Sequence, residues 1–197
     1  MLIAFEGIDG SGKSTQAKML HDWLSRSRKC VLTKEPTKEG IGSIIREHIA
    51  RPLSADRYYH AFVQSLFVGD RVDHVDRVIL PSLKKGRVVI TDRYVLSTIA
   101  YGSAAGLDKK WIRKANARFP RADLTFILDV SEKVALGRKK DFDTFEKPSF
   151  MRRVRRAYLD EARRSRNTFV IDAGRKPDEV HKEIINIVSQ HIKGKGK

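Results

Sequence analysis

The chain has 197 residues, of which 41% are hydrophobic and 32% are charged, a composition typical of one globular domain and not of a disordered protein. Its formal charge of +16 suits nucleic acid, an acidic membrane surface or small phosphorylated substrates, so charge alone does not choose among them. The single cysteine, Cys30, excludes an internal disulfide, and no stretch approaches the roughly 20 apolar residues of a membrane helix. We therefore expect a cytoplasmic protein that does not bind a membrane. The six histidines lack metal-binding spacing and predict no zinc site.

Short apolar runs alternate with longer amphipathic stretches along the chain. The apolar runs predict strands at residues 2–6, 30–33, 87–91, 124–129 and 168–171, of which the run at 30–33 is the weakest. The amphipathic stretches predict helices at residues 13–25, 41–50, 56–83, 108–119, 132–139, 148–165 and 176–192. Apolar strands separated by helices predict one α/β domain, 1–192, whose parallel sheet is covered by helices on both faces. Residues 193–197 contain only lysine and glycine and predict a disordered basic tail.

Two charged segments each allow two interpretations. Residues 139–149 read KKDFDTFEKPS and interrupt the helical pattern, so they are either an ordinary surface connection or a mobile functional loop. The arginine-rich stretch 152–166 is either a nucleic-acid-binding arm or an amphipathic helix with a solvated basic face. Its apolar and acidic residues recur at helical spacing, which favours the helix.

A complete phosphate-binding motif follows the first predicted strand. The pattern GxxxxGK[ST] and the residue after it comprise Gly7, Ile8, Asp9, Gly10, Ser11, Gly12, Lys13, Ser14 and Thr15. Glycines let the backbone curl around an anion, and the helix that follows adds its positive N-terminal end. We expect Lys13 to neutralise the β- and γ-phosphates of a nucleoside triphosphate and Ser14 to ligate Mg²⁺. A glycine-rich turn without this function would not require that lysine and serine.

Charged residues also follow two other predicted strands. The strand at 87–91 leads into Asp92 and Arg93, and the strand at 30–33 leads into Lys34, Glu35 and Pro36. Ligands of open parallel sheets bind outside the carboxyl ends of the strands, so these residues are expected near the phosphate-binding loop. Asp92 is then a candidate for holding a metal-bound water or orienting the acceptor, and Arg93 for binding an acceptor phosphate. The alternative is that the chain simply leaves the core at these positions.

One face of the predicted helix at 56–83 combines an amide, an aromatic ring and a guanidinium. Gln64, Phe67 and Arg71 lie on this face because they are three and four residues apart. An aromatic ring beside an arginine suits a nucleotide base and its phosphate. Alternatively, Phe67 belongs to the core and Arg71 to the surface.

Across nearly its whole length the chain resembles the thymidylate kinases, which are P-loop nucleoside monophosphate kinases. The resemblance rests on the segments FEGIDGSGKST at 5–15, KEP at 34–36, LFVGDR at 66–71, DRYVLSTIAY at 92–101, DLTFILDV at 123–130 and DTFE at 143–146. The P-loop in the first of these segments is shared with many unrelated NTPases, whereas DRY followed by SxxAY is a much narrower signal. The resemblance implies a three-layer P-loop NTPase fold with a five-stranded parallel sheet, a homodimer, and ATP with Mg²⁺ converting dTMP to dTDP.

The resemblance also implies roles for individual residues that bind dTMP. Asp9 is expected near the acceptor's sugar and phosphate, and Arg93 is expected to bind that phosphate with Arg71 alongside. Phe67 would stack on thymine, and Thr98 and Arg71 would contact the edge of the base. Tyr101 would stand where a ribose 2′-hydroxyl projects and so favour deoxyribose.

Further implied residues lie at the ends of the acceptor and donor sites. Glu35 of the KEP segment belongs to the expected dTMP-binding set, and Glu146 would approach the acceptor and its metal. Arg138 resembles the arginine that lies over adenine, which makes the approximate stretch 138–149 the lid of the site. Asp92, like Ser14, is expected to serve the metal.

The sequence departs from the family at its catalytic arginine. Family members supply this arginine either from the P-loop, at the position that Gly10 occupies here, or from inside the lid. The lid of this chain offers Lys139, Lys140 and Lys147 instead. Two alternatives remain open: a lysine takes the role, with Lys139 and Lys140 as the nearest candidates, or an arginine of the following helix does.

Other functions are less well supported by these residues. A kinase for another pyrimidine nucleotide is the nearest alternative, whereas two arginines suited to a phosphorylated acceptor argue against a deoxynucleoside as substrate. A nucleic-acid-binding NTPase would need a reading helix, an aromatic RNA-binding strand or an added domain, and the sequence contains no pattern for any of them. We therefore expect no nucleic-acid partner.

Overall fold

A computed structural model describes residues 1–50, 56–138 and 147–194. Five strands form one sheet, and they are β1 (Leu2–Glu6), β2 (Cys30–Lys34), β3 (Val88–Asp92), β4 (Leu124–Asp129) and β5 (Thr168–Asp172). Their order across the sheet is β2-β3-β1-β4-β5, and every neighbouring pair is parallel. The parallel α/β fold with five strands is confirmed.

The burial of each strand explains the strength of its apolar pattern in the sequence. Every residue of the central strands β1 and β3 is buried, because helices cover both faces of the sheet there. The edge strands β2 and β5 are only partly buried. The weak apolar signal at 30–33 is therefore the signal of an edge strand.

The helices pack on the two faces of this sheet. Their bounds are α1 (Lys13–Leu24), α2 (Ile41–Ile49), α3 (Arg57–His74), α4 (Leu80–Lys84), α5 (Val95–Ala104), α6 (Lys109–Asn116), α7 (Glu132–Gly137), α8 (Pro148–Ala162) and α9 (Pro177–Gly194). Side chains of Asp56, Asp108 and Ser131 cap α3, α6 and α7 by accepting a backbone N–H of the first turn. In the part of the chain that is described, no helix has the length and apolarity needed to cross a membrane.

Two predicted segments need correction, and one helix had not been predicted. The single helix predicted at 56–83 is interrupted by a π-helical turn, Val75–Ile79, between α3 and α4. Helix α5 was not predicted, because it is buried over much of its surface and so lacks a polar stripe, and its N-cap residue, Tyr94, makes no side-chain cap. Helix α9 continues to Gly194, two residues into the predicted tail, because the helical pattern extends over Lys193.

Candidate active site

A cavity of about 560 Å³ opens at the carboxyl ends of β1, β2 and β3, where the topology of an open parallel sheet places ligands. It is lined by residues of the P-loop, of the three strand ends and of helices α2, α3 and α5, namely Asp9, Gly10, Gly12, Lys13, Ser14, Thr15, Lys34, Glu35, Pro36, Arg46, Ile49, Gln64, Phe67, Asp92, Arg93, Ser97, Thr98, Tyr101 and Arg138. Most of the predicted site residues therefore line one cavity. Of the others, Gly7, Ile8, Ser11 and Arg71 are buried and do not line it, and Lys139, Lys140 and Glu146 lie outside the described residues.

The P-loop adopts a conformation that glycine makes possible. Gly12 is the N-cap of α1 with φ 93°, a left-handed conformation that disfavours other residues. Gly10 has φ 78°, and a Cβ added to it would lie 2.3 Å from the carbonyl oxygen of Ala135 in α7. A side chain at position 10, including that of an arginine, would therefore require α7 to shift.

Lys13 lies at the start of α1 with only 6% of its surface exposed. Its Nζ donates a hydrogen bond of 2.8 Å to the carbonyl oxygen of Ile8, within the loop. Burial lowers the pKa of Lys13 to about 8, and the positive charge of Arg93 acts in the same direction. An anion in the cavity would favour the charged form of this lysine.

Ser14 and Asp92 meet across the cavity floor from α1 and β3. The Ser14 hydroxyl donates a short hydrogen bond to Oδ2 of Asp92. The other carboxylate oxygen, Oδ1, is buried without a hydrogen-bond partner in the described part of the chain. An oxygen ligand set of one hydroxyl and one carboxylate with a spare acceptor suits Mg²⁺ and its bound waters.

Arg93 lies between the P-loop and α5. Its φ of 74° is positive, which is uncommon outside glycine and marks a locally strained backbone. Its Nη2 donates to Asp9 Oδ1 at 2.7 Å and to the Tyr101 hydroxyl at 3.3 Å, and the Tyr101 hydroxyl donates to Asp9 Oδ2 at 2.9 Å. The guanidinium carbon also lies 5.2 Å from the centroid of the Tyr101 ring. The three residues thus form one hydrogen-bonded cluster in the cavity wall.

Arg71 is buried, so the alternative that placed it on the surface is wrong. It is fully buried beside the cavity, where its Nε and Nη2 donate to Glu35 Oε2 at 2.9 and 2.6 Å. Its Nη2 also donates to Thr98 Oγ1 at 3.0 Å, and Nη1 donates to Asn116 Oδ1. The second oxygen of Glu35 pairs with His74 Nδ1 at 3.0 Å. This hydrogen-bond network holds Thr98 in place in the wall of the cavity. A direct contact of Arg71 with dTMP stays a prediction.

The arginines that flank residues 139–146 make contacts of their own. Arg138 Nη2 donates to the carbonyl oxygen of Ala173 at 3.0 Å while lining the cavity. Arg152 Nε donates to Glu132 Oε1 at 2.9 Å, and Arg153 Nε donates to the carbonyl oxygen of Ala104 at 3.0 Å. These two arginines belong to α8, the helix that is the alternative source of the catalytic arginine, and they contact α7 and α5.

The sequence reasoning missed several polar residues at the site. Ser97 lines the cavity, Tyr158 donates from α8, and Glu6 accepts hydrogen bonds beneath the P-loop. Glu6 carries a detectable signal, because it is a carboxylate at the end of an otherwise apolar central strand. Ser97 is the serine of the SxxAY segment, to which no role was assigned, and Tyr158 gave no signal because its role depends on contacts between α5 and α8.

The fold and the site together define the class. A parallel sheet, a glycine loop between β1 and α1, a buried loop lysine and a Ser14–Asp92 pair are the parts of a P-loop phosphotransferase.

Comparison with known proteins gives the family. The family model described as thymidylate kinase matches residues 5–184. Relatives named as probable thymidylate kinases include one from Pyrobaculum calidifontis, 42% identical with 96% of each chain covered, and one from Pyrococcus abyssi, 38% identical with 98% of this chain and 97% of the relative covered. A third, from Methanosphaera stadtmanae, is 37% identical and covered in full, with 98% of this chain. The chain belongs to the thymidylate kinase family.

Proposed function

We propose that this protein transfers the γ-phosphate of ATP to dTMP, giving dTDP and ADP. Membership of the family supports the reaction, and one observation supports it most directly: Arg93 pairs with Asp9 of the P-loop and with Tyr101 in the same cavity as Lys13. A cation for an acceptor phosphate thus stands beside the loop for the donor phosphates. This arrangement suits direct, in-line transfer without a covalent intermediate.

The donor half rests on the P-loop. Its backbone N–H groups and Lys13 would bind the β- and γ-phosphates, and Arg138 would lie over the adenine. Ser14 and Asp92 would hold Mg²⁺, which when bound supplies charge neutralisation between those phosphates. Asp92 accepts a hydrogen bond from the Ser14 hydroxyl, so the two side chains are already oriented towards each other without a metal.

The acceptor half uses the opposite end of the cavity. Arg93 would bind the phosphate of dTMP, and Phe67 on α3 would stack on the thymine while Thr98 contacts its edge. Tyr101 is held by its hydrogen bond of 2.9 Å to Asp9, which would fix its ring beside the sugar of a bound dTMP. A fixed ring excludes a 2′-hydroxyl more effectively than a mobile one, because it does not move aside.

The proposal includes a homodimer. Helix α3 exposes three apolar side chains within one face, with Tyr58 83% exposed, Phe62 44% and Val72 56%, an arrangement that suits burial against a second copy. Light scattering during gel filtration tests it, with about twice the chain mass expected. Since ATP and dTMP are intracellular metabolites, we place the protein in the cytoplasm.

A coupled kinase assay over a panel of acceptors tests the reaction. With ATP and Mg²⁺, dTMP is expected to give the highest kcat/KM, ahead of UMP, dCMP and thymidine. A higher value for UMP or dCMP would make the protein a kinase for another pyrimidine nucleotide, and a higher value for thymidine would make it a nucleoside kinase. Binding of DNA at physiological salt, without turnover of any monophosphate, would instead support the nucleic-acid-binding alternative.

A further inference from the structure

Glu6 is a fully buried carboxylate at the end of β1, directly before the P-loop. Its Oε1 accepts the backbone N–H groups of Tyr94 and Ser97 at 3.0 and 3.2 Å. Its Oε2 accepts the hydroxyls of Ser97 and Tyr158 at 2.6 and 3.1 Å. Four donors therefore converge on one charged group that reaches no solvent and lines no part of the cavity.

The two backbone donors belong to the start of α5. The first N–H groups of a helix need partners, and a side chain at the N-cap usually supplies one. Tyr94, the N-cap here, makes no such bond. The carboxylate of Glu6 supplies it from the sheet, and its negative charge also suits the positive end of the helix dipole.

The two hydroxyl donors connect Glu6 to Arg93. Arg93 Nη1 donates to Ser97 Oγ at 3.0 Å and to the Tyr158 hydroxyl at 3.3 Å. Each hydroxyl has one hydrogen and two lone pairs. Ser97 Oγ and the Tyr158 hydroxyl also lie 2.9 Å apart, within hydrogen-bond distance of each other. The Glu6 carboxylate competes with that contact as an acceptor, and when it receives both hydroxyl hydrogens, the lone pairs of both hydroxyls remain for Arg93.

We propose that Glu6 is the positioning residue for Arg93, holding its guanidinium through Ser97 and Tyr158 in the orientation that binds the acceptor's phosphate. The inference rests on the proposed function, since it concerns the same acceptor site. Arg93 needs this support because its backbone is strained at φ 74°. The neutral amide of a glutamine at position 6 would donate a hydrogen bond to one or both hydroxyls. The hydrogen of that hydroxyl would then turn towards the guanidinium of Arg93, which cannot accept a hydrogen bond.

The energetic cost of Glu6 agrees with this role. Burial raises the pKa of its carboxyl to about 7, although the Ser97 hydrogen bond and the charges of Arg93 and Arg71 act in the opposite direction. Burying a carboxylate costs more solvation free energy than burying a serine or threonine hydroxyl, which would also cap the helix. A cap on the helix itself would not connect to Arg93, whereas Glu6 connects to it through Ser97 and Tyr158.

The test compares Glu6→Gln with Glu161→Gln at pH 8. Glu161 is a matched control because it is also a buried carboxylate, paired with Arg113 and without a bond to Arg93. We expect Glu6→Gln to raise KM for dTMP by about tenfold or more, the scale of losing a charge-assisted hydrogen bond, while KM for ATP changes less than about threefold. Glu161→Gln should leave both constants near those of the wild type.

Each outcome bears on one proposal. A wild-type protein that does not phosphorylate dTMP overturns the proposed function, whereas an active wild type with a folded Glu6→Gln variant of normal KM for dTMP overturns the role of Glu6. Equal changes in both KM values would also overturn it, because they indicate general disorder of the site. If Glu6→Gln does not fold, Tyr158→Phe removes one shared hydroxyl and leaves Glu6 in place. A dTMP-specific rise in KM of about threefold or more is then expected, and an unchanged value rejects the proposal.

Discussion

The carbonyl oxygen of Ala135 fills the space in which a side chain at Gly10 would stand. A Cβ there would approach it to 2.3 Å, and the φ of Gly10 is 78°. Restoring a P-loop arginine by Gly10→Arg should therefore lower the free energy of unfolding by about 2 kcal/mol or more, without raising kcat. Thermal unfolding and steady-state kinetics check both parts.

A second glycine provides the control for this substitution. Gly86 has φ 68°, but a Cβ on it would meet nothing within 4 Å. Gly86→Ala should thus report backbone strain alone, about 1 kcal/mol. A Gly10→Arg variant as stable as Gly86→Ala, or with a raised kcat, would mean that α7 moves aside and that the P-loop can carry the arginine after all.

The sequence was sufficient for the parts of the site that local rules encode. The P-loop and the strand-end pair Asp92 and Arg93 follow from a motif and from the geometry of parallel strands, and all five strands were predicted. Glu6 and Ser97 are 91 positions apart, and no pattern along the chain signals that they meet. The burial of Arg71 likewise depends on Glu35, 36 positions away.

Lys13 should separate activity from stability. Lys13→Ala removes the compact cation that faces the donor phosphates, so kcat/KM should fall by about 10³-fold. The folded protein should remain at least as stable, because burial already disfavours this charge and lowers the pKa of Lys13 to about 8. Steady-state kinetics and urea unfolding of the same preparation of Lys13→Ala measure its kcat/KM and its stability. Near-normal turnover by this variant would show that Lys13 has no role in the mechanism.

Tyr101 should control the choice of sugar through its ring. Tyr101→Ala removes the ring and is expected to narrow the kcat/KM preference for dTMP over its ribose counterpart. Tyr101→Phe keeps the ring but loses the hydrogen bond of 2.9 Å to Asp9, so it should retain most of the preference while weakening dTMP binding. If the ratio of the kcat/KM values for dTMP and its ribose counterpart is unchanged in Tyr101→Ala, Tyr101 has only a packing role.

The lid should supply the cation that the P-loop does not. If Lys139 or Lys140 delivers it on closure, replacing that lysine with alanine should lower kcat by roughly 10²-fold while KM for ATP changes little. Lys147→Ala should have a smaller effect, and Arg138→Ala should instead raise KM for ATP. Arg152→Ala and Arg153→Ala test the alternative source on α8, where these side chains donate to Glu132 and to the Ala104 carbonyl oxygen. A collapse of kcat confined to one of them would assign the charge to α8.

Glu6 should leave a measurable pH dependence in the stability of the protein. Its pKa is about 7 in the folded state against a usual value of 4.5, so between these values the unfolded chain loses this proton and the folded protein keeps it. Stability therefore falls as pH rises through that window. The ionisation of Glu6 lowers the free energy of unfolding by about 3 kcal/mol above pH 7, and this effect vanishes below about pH 4.5.

Urea unfolding of the wild type and Glu6→Gln at pH 5, 6, 7 and 8 isolates this contribution, because other titrating groups cancel in the difference between the two proteins. The free energy of unfolding of the wild type should decline relative to that of the variant by about 2 to 3 kcal/mol over this range. Glu161→Gln, measured in parallel, is the control for the loss of a buried carboxylate, because Glu161 is paired with the charged Arg113 and not with uncharged donors. Parallel curves for the wild type and Glu6→Gln would show that the carboxyl of Glu6 titrates near its usual value and that burial is offset by its four donors.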